Sequence, residues 1–122
     1  MKVLLGIGGS EDSIEALRRT VDRAQGAGDD LTVAILDNPE SDRTYEEIEA
    51  EVQATLDEVS CDADIRHLEG DPGSELVSAA ELEDFDEVVI GGGQQSPMGK
   101  IRLGPIAEFV LLNSHVTVTL VR

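Results

Sequence analysis

The sequence predicts an α/β fold: a five-stranded, parallel, doubly wound open sheet. Three observations predict it. Apolar runs of strand length alternate with segments whose apolar residues recur every three or four positions, in the order βαβαβαβαβ. Glycine, proline and small polar capping residues punctuate the joins between them. The 122 residues suit one domain, 1–122, with four helices as right-handed crossovers.

Val3 to Ile7 is a short apolar run beside Gly8-Gly9, which reads as a buried strand. Ser10 can cap the helix that follows. There Ile14, Leu17, Val21 and Ala24 recur at helical spacing, and Gly26 and Gly28 end the pattern. Leu31 to Leu36, apolar except at Thr32, is the second strand, broken by Asp37-Asn38-Pro39. Ser41-Asp42 can cap the second helix, whose apolar stripe is Tyr45, Ile48, Val52, Leu56 and Val59. Asp64 to Leu68 alternates polar and apolar, the pattern of a strand near an edge. Gly70 to Gly73 turns the chain into a short helix with Leu76, Val77 and Ala80 inward. Glu87 to Ile90 is the fourth strand. A loop from Gly91 to Leu103 leads to a helix near Pro105 to Leu112. His115 to Val121 is the last strand, in which Val116, Val118 and Leu120 alternate with Thr117, Thr119 and Val121.

Composition narrows the function classes. The apolar fraction is 40%, enough for a core, but Tyr45, Phe85 and Phe109 are the whole aromatic complement. The core is therefore expected from Val, Leu, Ile and Ala. Acidic residues number 26 against 9 basic, for a formal net charge of -17. Such a surface repels nucleic acid and anionic membrane, having no cationic patch with which to release counterions. It points to a salty, halophilic cytoplasm, where ions screen the self-repulsion within a few ångström. No run approaches the roughly 18 apolar residues of a membrane span, and Met1 to Ile7 lacks the pattern of a secretory leader. A soluble, cytoplasmic protein is expected. Cys61 has no second cysteine to pair with, and Asp62 and Asp64 disfavour its thiolate.

In a doubly wound sheet, ligands lie beyond the carboxyl ends of the strands, where the strand order reverses. That directs attention to the loops after the first and fourth strands. Gly6-Ile7-Gly8-Gly9-Ser10 lets backbone approach a ligand and leads into a helix N-terminus. Gly91-Gly92-Gly93-Gln94-Gln95-Ser96-Pro97-Met98-Gly99-Lys100, followed by Gly104-Pro105, offers backbone amides, the Ser96 hydroxyl and the Lys100 ammonium to phosphates. It is not a Walker A loop. Five residues separate Gly93 from Gly99 where four are required, and Ile101 replaces the Ser or Thr that binds magnesium. The dinucleotide fingerprint fails too, because Glu11 follows where a third glycine belongs. Ser10, Ser13 and Ser96 have no evident base. His67 and His115 lie singly in strand patterns, and no Cys/His cluster suits a metal. No catalytic residue is assigned.

These pieces together resemble the universal stress protein family over the whole chain. The opening Ile7-Gly8-Gly9-Ser10 is similar to that family's strand ending in Asp-Gly-Ser. Glu69-Gly70-Asp71-Pro72 matches its turn after the third strand. Gly91 and Gly104 align with the ends of its G-x2-G-x9-G-[ST] loop. Ile106 to Leu111 resembles its V-A-E-x-V-L segment, and Val116 to Arg122 its closing strand. The resemblance implies a Rossmann-like sheet of the adenine nucleotide alpha hydrolase type, strand order 3-2-1-4-5. It implies ATP or another adenine nucleotide held between the two loops, with magnesium or manganese on the phosphates. By position, Ile7 and Gly8 lie by the ribose and adenine, and Leu36 and Asp37 border the base. Gly91, Gly92, Gln94, Gln95, Ser96, Gly104, Pro105 and Ile106 line the ribose and phosphates.

Three positions depart from the family's pattern. Gly8 stands where an acidic residue is usual, Gln94 at the second motif glycine, and Pro105 at the Ser/Thr position. The resemblance also implies a homodimer through the last strand. That strand, uncharged with Val116, Val118 and Leu120 on one face, would otherwise expose unpaired backbone groups at a sheet edge. Three functions follow in order: a nucleotide-binding, non-enzymatic stress-response dimer; a dimeric interaction module with a lapsed nucleotide site; and an adenylating enzyme. The last rests on Gly8-Gly9-Ser10-Glu11-Asp12-Ser13, a pyrophosphatase-like loop with its spacing off by one.

Overall fold

The computed structural model describes residues 1–8, 11–38, 42–91, 94–95, 101–102 and 104–121. In chain order the elements are β1 (Lys2–Ile7), α1 (Glu11–Ala27), β2 (Asp30–Leu36), α2 (Tyr45–Glu58), β3 (Asp64–Leu68), α3 (Pro72–Leu82), β4 (Glu87–Gly91), β5 (Gln94–Gln95), β6 (Ile101–Arg102), α4 (Pro105–Asn113) and β7 (Thr117–Val121). The main sheet is parallel with order β3-β2-β1-β4-β7, which is 3-2-1-4-5 when its own strands are counted. The order reverses between β1 and β4.

The alternation of side chains along β1 explains why the strand is continuously apolar. Val3, Leu5 and Ile7 face one layer with Leu17 and Val21 of α1 and Val52 and Leu56 of α2. Leu4 faces the other, with Leu76 and Ala80 of α3 and Val110 of α4. Both faces of the central strands are buried, as a doubly wound sheet requires. Among the described residues, no helix is long and apolar enough to cross a membrane.

Several boundaries differ from the sequence expectations. α1 runs through Gly26 to Ala27, and the chain turns at Gly28, whose φ of 72° suits glycine. α2 is capped by Thr44, not by Asp42, while Ser41 lies outside the described residues. Thr44 Oγ1 accepts from the Glu47 N–H at 3.2 Å, and Glu47 Oε1 accepts from the Thr44 N–H at 3.2 Å. This is a reciprocal capping box. Replacing Thr44 with alanine is expected to cost about 1 kcal/mol of stability, read as a lower urea midpoint with an unchanged m-value. Val59 is not part of the buried stripe; it follows α2 and is exposed, and burial stops at Leu56.

β7 begins at Thr117, not His115. Ser114 Oγ accepts from the Val116 N–H and donates to the Val116 carbonyl, both at 3.1 Å, which withdraws Val116 from the ladder. β4 reaches Gly91, one residue beyond the apolar run. The loop after it contains a short antiparallel pair, Gln94 opposite Arg102 and Gln95 opposite Ile101. Two-residue strands are too short to leave a periodic signature.

Candidate functional site

In a parallel sheet all strand carboxyl ends share one edge. Here that edge holds a cleft of about 430 Å³ beyond β1, β2 and β3. Gly8 follows β1, and Asp37 and Asn38 follow β2. Tyr45 opens α2, His67 lies in β3, and Gly70 and Pro72 lead into α3. The cleft is assembled by polar links between strand ends. Asn38 Nδ2 donates to the Gly8 carbonyl at 3.1 Å, joining the β1 and β2 exits. His67 Nε2 lies 2.6 Å from Asp37 Oδ1, and the Gly70 N–H donates to Asp37 Oδ2 at 3.2 Å, joining β2, β3 and the turn after it.

The His67 ring stacks on Tyr45, with centroids 4.0 Å apart and planes at 26°. The pair forms an aromatic wall of the cleft. The Tyr45 hydroxyl is pushed up to about 12, chiefly by its hydrogen bond to Glu49 and then by burial. It is therefore a neutral phenol and not a base. The hydrogen bond with His67, then that from Gly70, hold the Asp37 carboxyl below its ordinary value. Arg66 does the same for Glu83 through their hydrogen bond. Because both folded-state values are depressed, the unfolded chain takes up protons first as the pH falls. The stabilisation is whole above about pH 5 and is lost on acidification through the carboxylate range and below. An acid titration followed by circular dichroism checks this, and Asp37→Asn is expected to flatten its upper limb.

At the start of α3, Asp71 caps the helix by accepting from the Ser74 N–H at 3.1 Å, with Pro72 in the first turn. α4 opens differently. Gly104 is its N-cap and supplies no side-chain bond, and Pro105 follows at the first turn. The first-turn N–H groups of α4 thus lack a side-chain cap.

The structure brings Gly8, Leu36 and Asp37 of the expected site into the one cleft. Ile7 is fully buried in the α1–α2 layer and does not line it. Gly91 ends β4 at the same sheet edge, one residue past the Gly6–Ile90 pair and opposite Val121. Gln94 and Gln95 form one arm of the short antiparallel pair. Gly104 and Pro105 are exposed, and Ile106 packs against the α3–α4 layer. Gly9, Ser10, Gly92, Ser96, Gly99 and Lys100 lie outside the described residues. Of the edge positions, Val116, Val118 and Leu120 are half-buried against the α3–α4 layer, and among the described residues β7 has β4 as its one neighbour in the sheet. Sequence reasoning missed Tyr45, His67, Asn38 and Arg43 as cleft residues. The available signal was positional for two of them: Asn38 and His67 lie within two residues of a strand's carboxyl end, whereas Arg43 and Tyr45 come seven and nine residues after β2.

A parallel sheet whose order reverses between β1 and β4 defines a Rossmann-like α/β class. A model described as the universal stress protein family matches residues 1–122, and the chain belongs to that family. It is 35% identical over 81 residues to stress response protein NhaX of Bacillus subtilis, covering 66% of this chain and 48% of the relative. It is 44% identical over 54 residues to a universal stress protein of Methanothermobacter thermautotrophicus, covering 44% of this chain and 36% of the relative. The matches thus span half or less of these curated relatives. Among solved structures, a universal stress protein from Archaeoglobus fulgidus superposes with a TM-score of 0.78 at 21% identity, covering 100% of this chain and 98% of that one. A complex of the A. fulgidus protein with dAMP gives 0.68 at 22%, covering 100% and 98%. An Arabidopsis thaliana family member with AMP bound gives 0.67 at 12%, covering 99% and 90%.

Proposed function

We propose that this chain is an adenine-nucleotide-binding stress-response protein that acts as a homodimer. The observation that carries the reading is the carboxyl-edge cleft, with its flat Tyr45–His67 wall beside the Asp37 carboxylate. A stacked aromatic surface suits a purine, and an ionised carboxylate accepts hydrogen bonds from an exocyclic amine or a ribose hydroxyl. The volume of about 430 Å³ falls in the range of small-ligand pockets. The dAMP and AMP complexes of structural neighbours support the same ligand class.

On this reading Gly8, Leu36 and Asp37 border the nucleoside. The phosphates extend toward Gly91, Gln94 and the first turn of α4 at Gly104–Ile106, carrying a magnesium or manganese ion. The first turn of α4 fits the phosphates alone: past Pro105, which has no N–H, the Ile106 and Ala107 amides without a side-chain cap are donors for an anion. Two copies pair through the free edge of β7. Binding, not turnover, is the activity.

Calorimetry with AMP and ATP, in molar KCl with magnesium, tests the reading. High salt screens the acidic surface. Saturable binding is expected, and Tyr45→Ala is expected to weaken it about tenfold or more through lost stacking. No heat up to millimolar nucleotide, with the protein folded, would overturn nucleotide binding and favour the interaction module. Sedimentation showing only a 13.0 kDa species in high salt would overturn the dimer.

A further inference from the structure

We propose that a second cleft, between α1 and the end of β7, binds a phosphate group, free or carried by a small organic molecule. The cleft has a volume of about 370 Å³. Arg19, Thr20 and Arg23 of α1 line it together with Leu120 and Val121, and it shares no residue with the first cleft.

The first argument is the Thr20 hydroxyl. The residue is 3% exposed, and its Oγ1 is shielded from solvent and has no hydrogen-bond partner. A buried threonine within a helix ordinarily donates to the carbonyl four residues back, as Thr55 does to Glu51 at 2.9 Å. Thr20 leaves that bond unmade, so a residue that lines the cleft carries a hydroxyl with no partner just beneath its wall. Buried polar groups without a partner are rare enough to require a reason.

The second argument is the pair of guanidiniums. Arg19 and Arg23 are one helical turn apart with Thr20 between them, so all three lie along one stripe of α1. Arg23 is held in place by Glu87, whose Oε1 lies 2.6 Å from Arg23 Nη2. Glu87 is buried in turn and accepts the Thr119 hydroxyl on its other oxygen. Arg19 Nε lies 3.1 Å from Glu15 Oε1. Each guanidinium gives one N–H to its carboxylate and keeps the rest of its fork for a ligand. In a chain with 9 basic residues against 26 acidic, two converge on this one cleft.

The donor set selects the ligand chemistry. Two forks and a hydroxyl match the three terminal oxygens of a phosphate group, whereas a carboxylate has only two. Glu15 and Glu87 already balance the two positive charges. Recognition therefore rests on placed donors more than on net attraction, and it is expected to persist in molar salt. Val121, whose side chain packs on the α1–α2 side of the sheet, gives an apolar wall to whatever the phosphate carries.

Proton–nitrogen spectra of the full chain in molar KCl, titrated with inorganic phosphate and separately with glycerol phosphate, test the proposal. Saturable shifts are expected at the Arg19 and Arg23 Nε–H signals and the Thr20 amide, with Gly70 and the His67 amide unmoved. Thr20→Val removes only a hydroxyl without a partner, so its melting temperature should not fall. Its phosphate affinity should drop about tenfold or more, as should that of Arg19→Ala. Tighter binding of glycerol phosphate identifies a phosphate monoester as the ligand; equal or weaker binding identifies free phosphate. Shifts that grow without saturation, or equal affinity in wild type and both variants, would overturn the site. Failure of AMP to move the signals of Tyr45, His67 and Gly70 bears on the first cleft alone.

Discussion

Leu76→Ala is expected to remove about 2–5 kcal/mol of folding stability, among the largest losses available to a single substitution in this chain. Leu76 is 0% exposed and carries α3 onto the sheet beside Leu4, Val88 and Val110. It also fills the notch left by Gly6 in the central strand. A Cβ on Gly6 would lie 2.8 Å from Leu76 Cδ2 and 3.3 Å from Leu36 Cδ1. Gly6 is thus a close-approach glycine whose missing methyl is replaced by a leucine from the neighbouring layer. Gly6→Ala alone is expected to cost about 1–3 kcal/mol by overpacking, because a fully buried leucine has nowhere to swing. In the Leu76→Ala background that cost should largely vanish, since the new methyl enters the new cavity. A double-mutant cycle by urea unfolding reads the coupling directly. Strict additivity would mean that the two positions do not share the space.

The second large effect is asymmetric. Arg23→Ala is expected to destabilise by about 2 kcal/mol or more, and Glu87→Met by less than about 1.5 kcal/mol. The pair looks symmetrical on paper, a guanidinium and a carboxylate 2.6 Å apart. Its two ends have different surroundings. The Arg23 side chain is 47% exposed and turns to water when its partner is lost, whereas the Glu87 side chain is 8% exposed and does not. Removing the arginine strands a charge, with the Thr119 hydroxyl as its remaining partner. Replacing the glutamate with a flexible apolar chain strands nothing charged. Half-exposure of Arg23 keeps the first cost below the roughly 3–5 kcal/mol of a fully buried pair. Thermal melts of the two variants at one pH and salt decide it; the reverse ranking would refute the account.

The elements were legible wherever burial imposes a period. β1, β2 and β4 sit at the centre of the sheet, so their two-sided burial writes an unbroken apolar run. Gly8, Leu36 and Asp37 were legible as site residues because strand exits at the carboxyl edge are where such sheets hold ligands. Tyr45 was not legible, because it occupies the first position of the α2 stripe and a spacing argument assigns it to the core. His67 alternates normally within β3. Their stacking joins two positions brought together by tertiary packing, which no local pattern encodes. The Thr44 cap shows a different failure. The Thr44…Glu47 spacing is a capping-box signature, but Ser41 and Asp42 stand earlier and compete for the same role. The Ser114 bonds that shorten β7 likewise depend on one side chain bending back on its own backbone.

The position of β7 at the end of the sheet has a consequence for colloidal behaviour. Its sequence, Thr-Val-Thr-Leu-Val, carries no charge and no proline, the usual blunting devices of an outer strand. Outside the pairing of two copies proposed above, what opposes annealing of an uncovered β7 to other molecules at neutral pH is long-range repulsion between bodies of formal charge -17. That brake weakens as the carboxylates protonate and disappears near the isoelectric point of about 4.1. Solubility at that edge is therefore governed by acidic groups that lie outside the strand's own sequence.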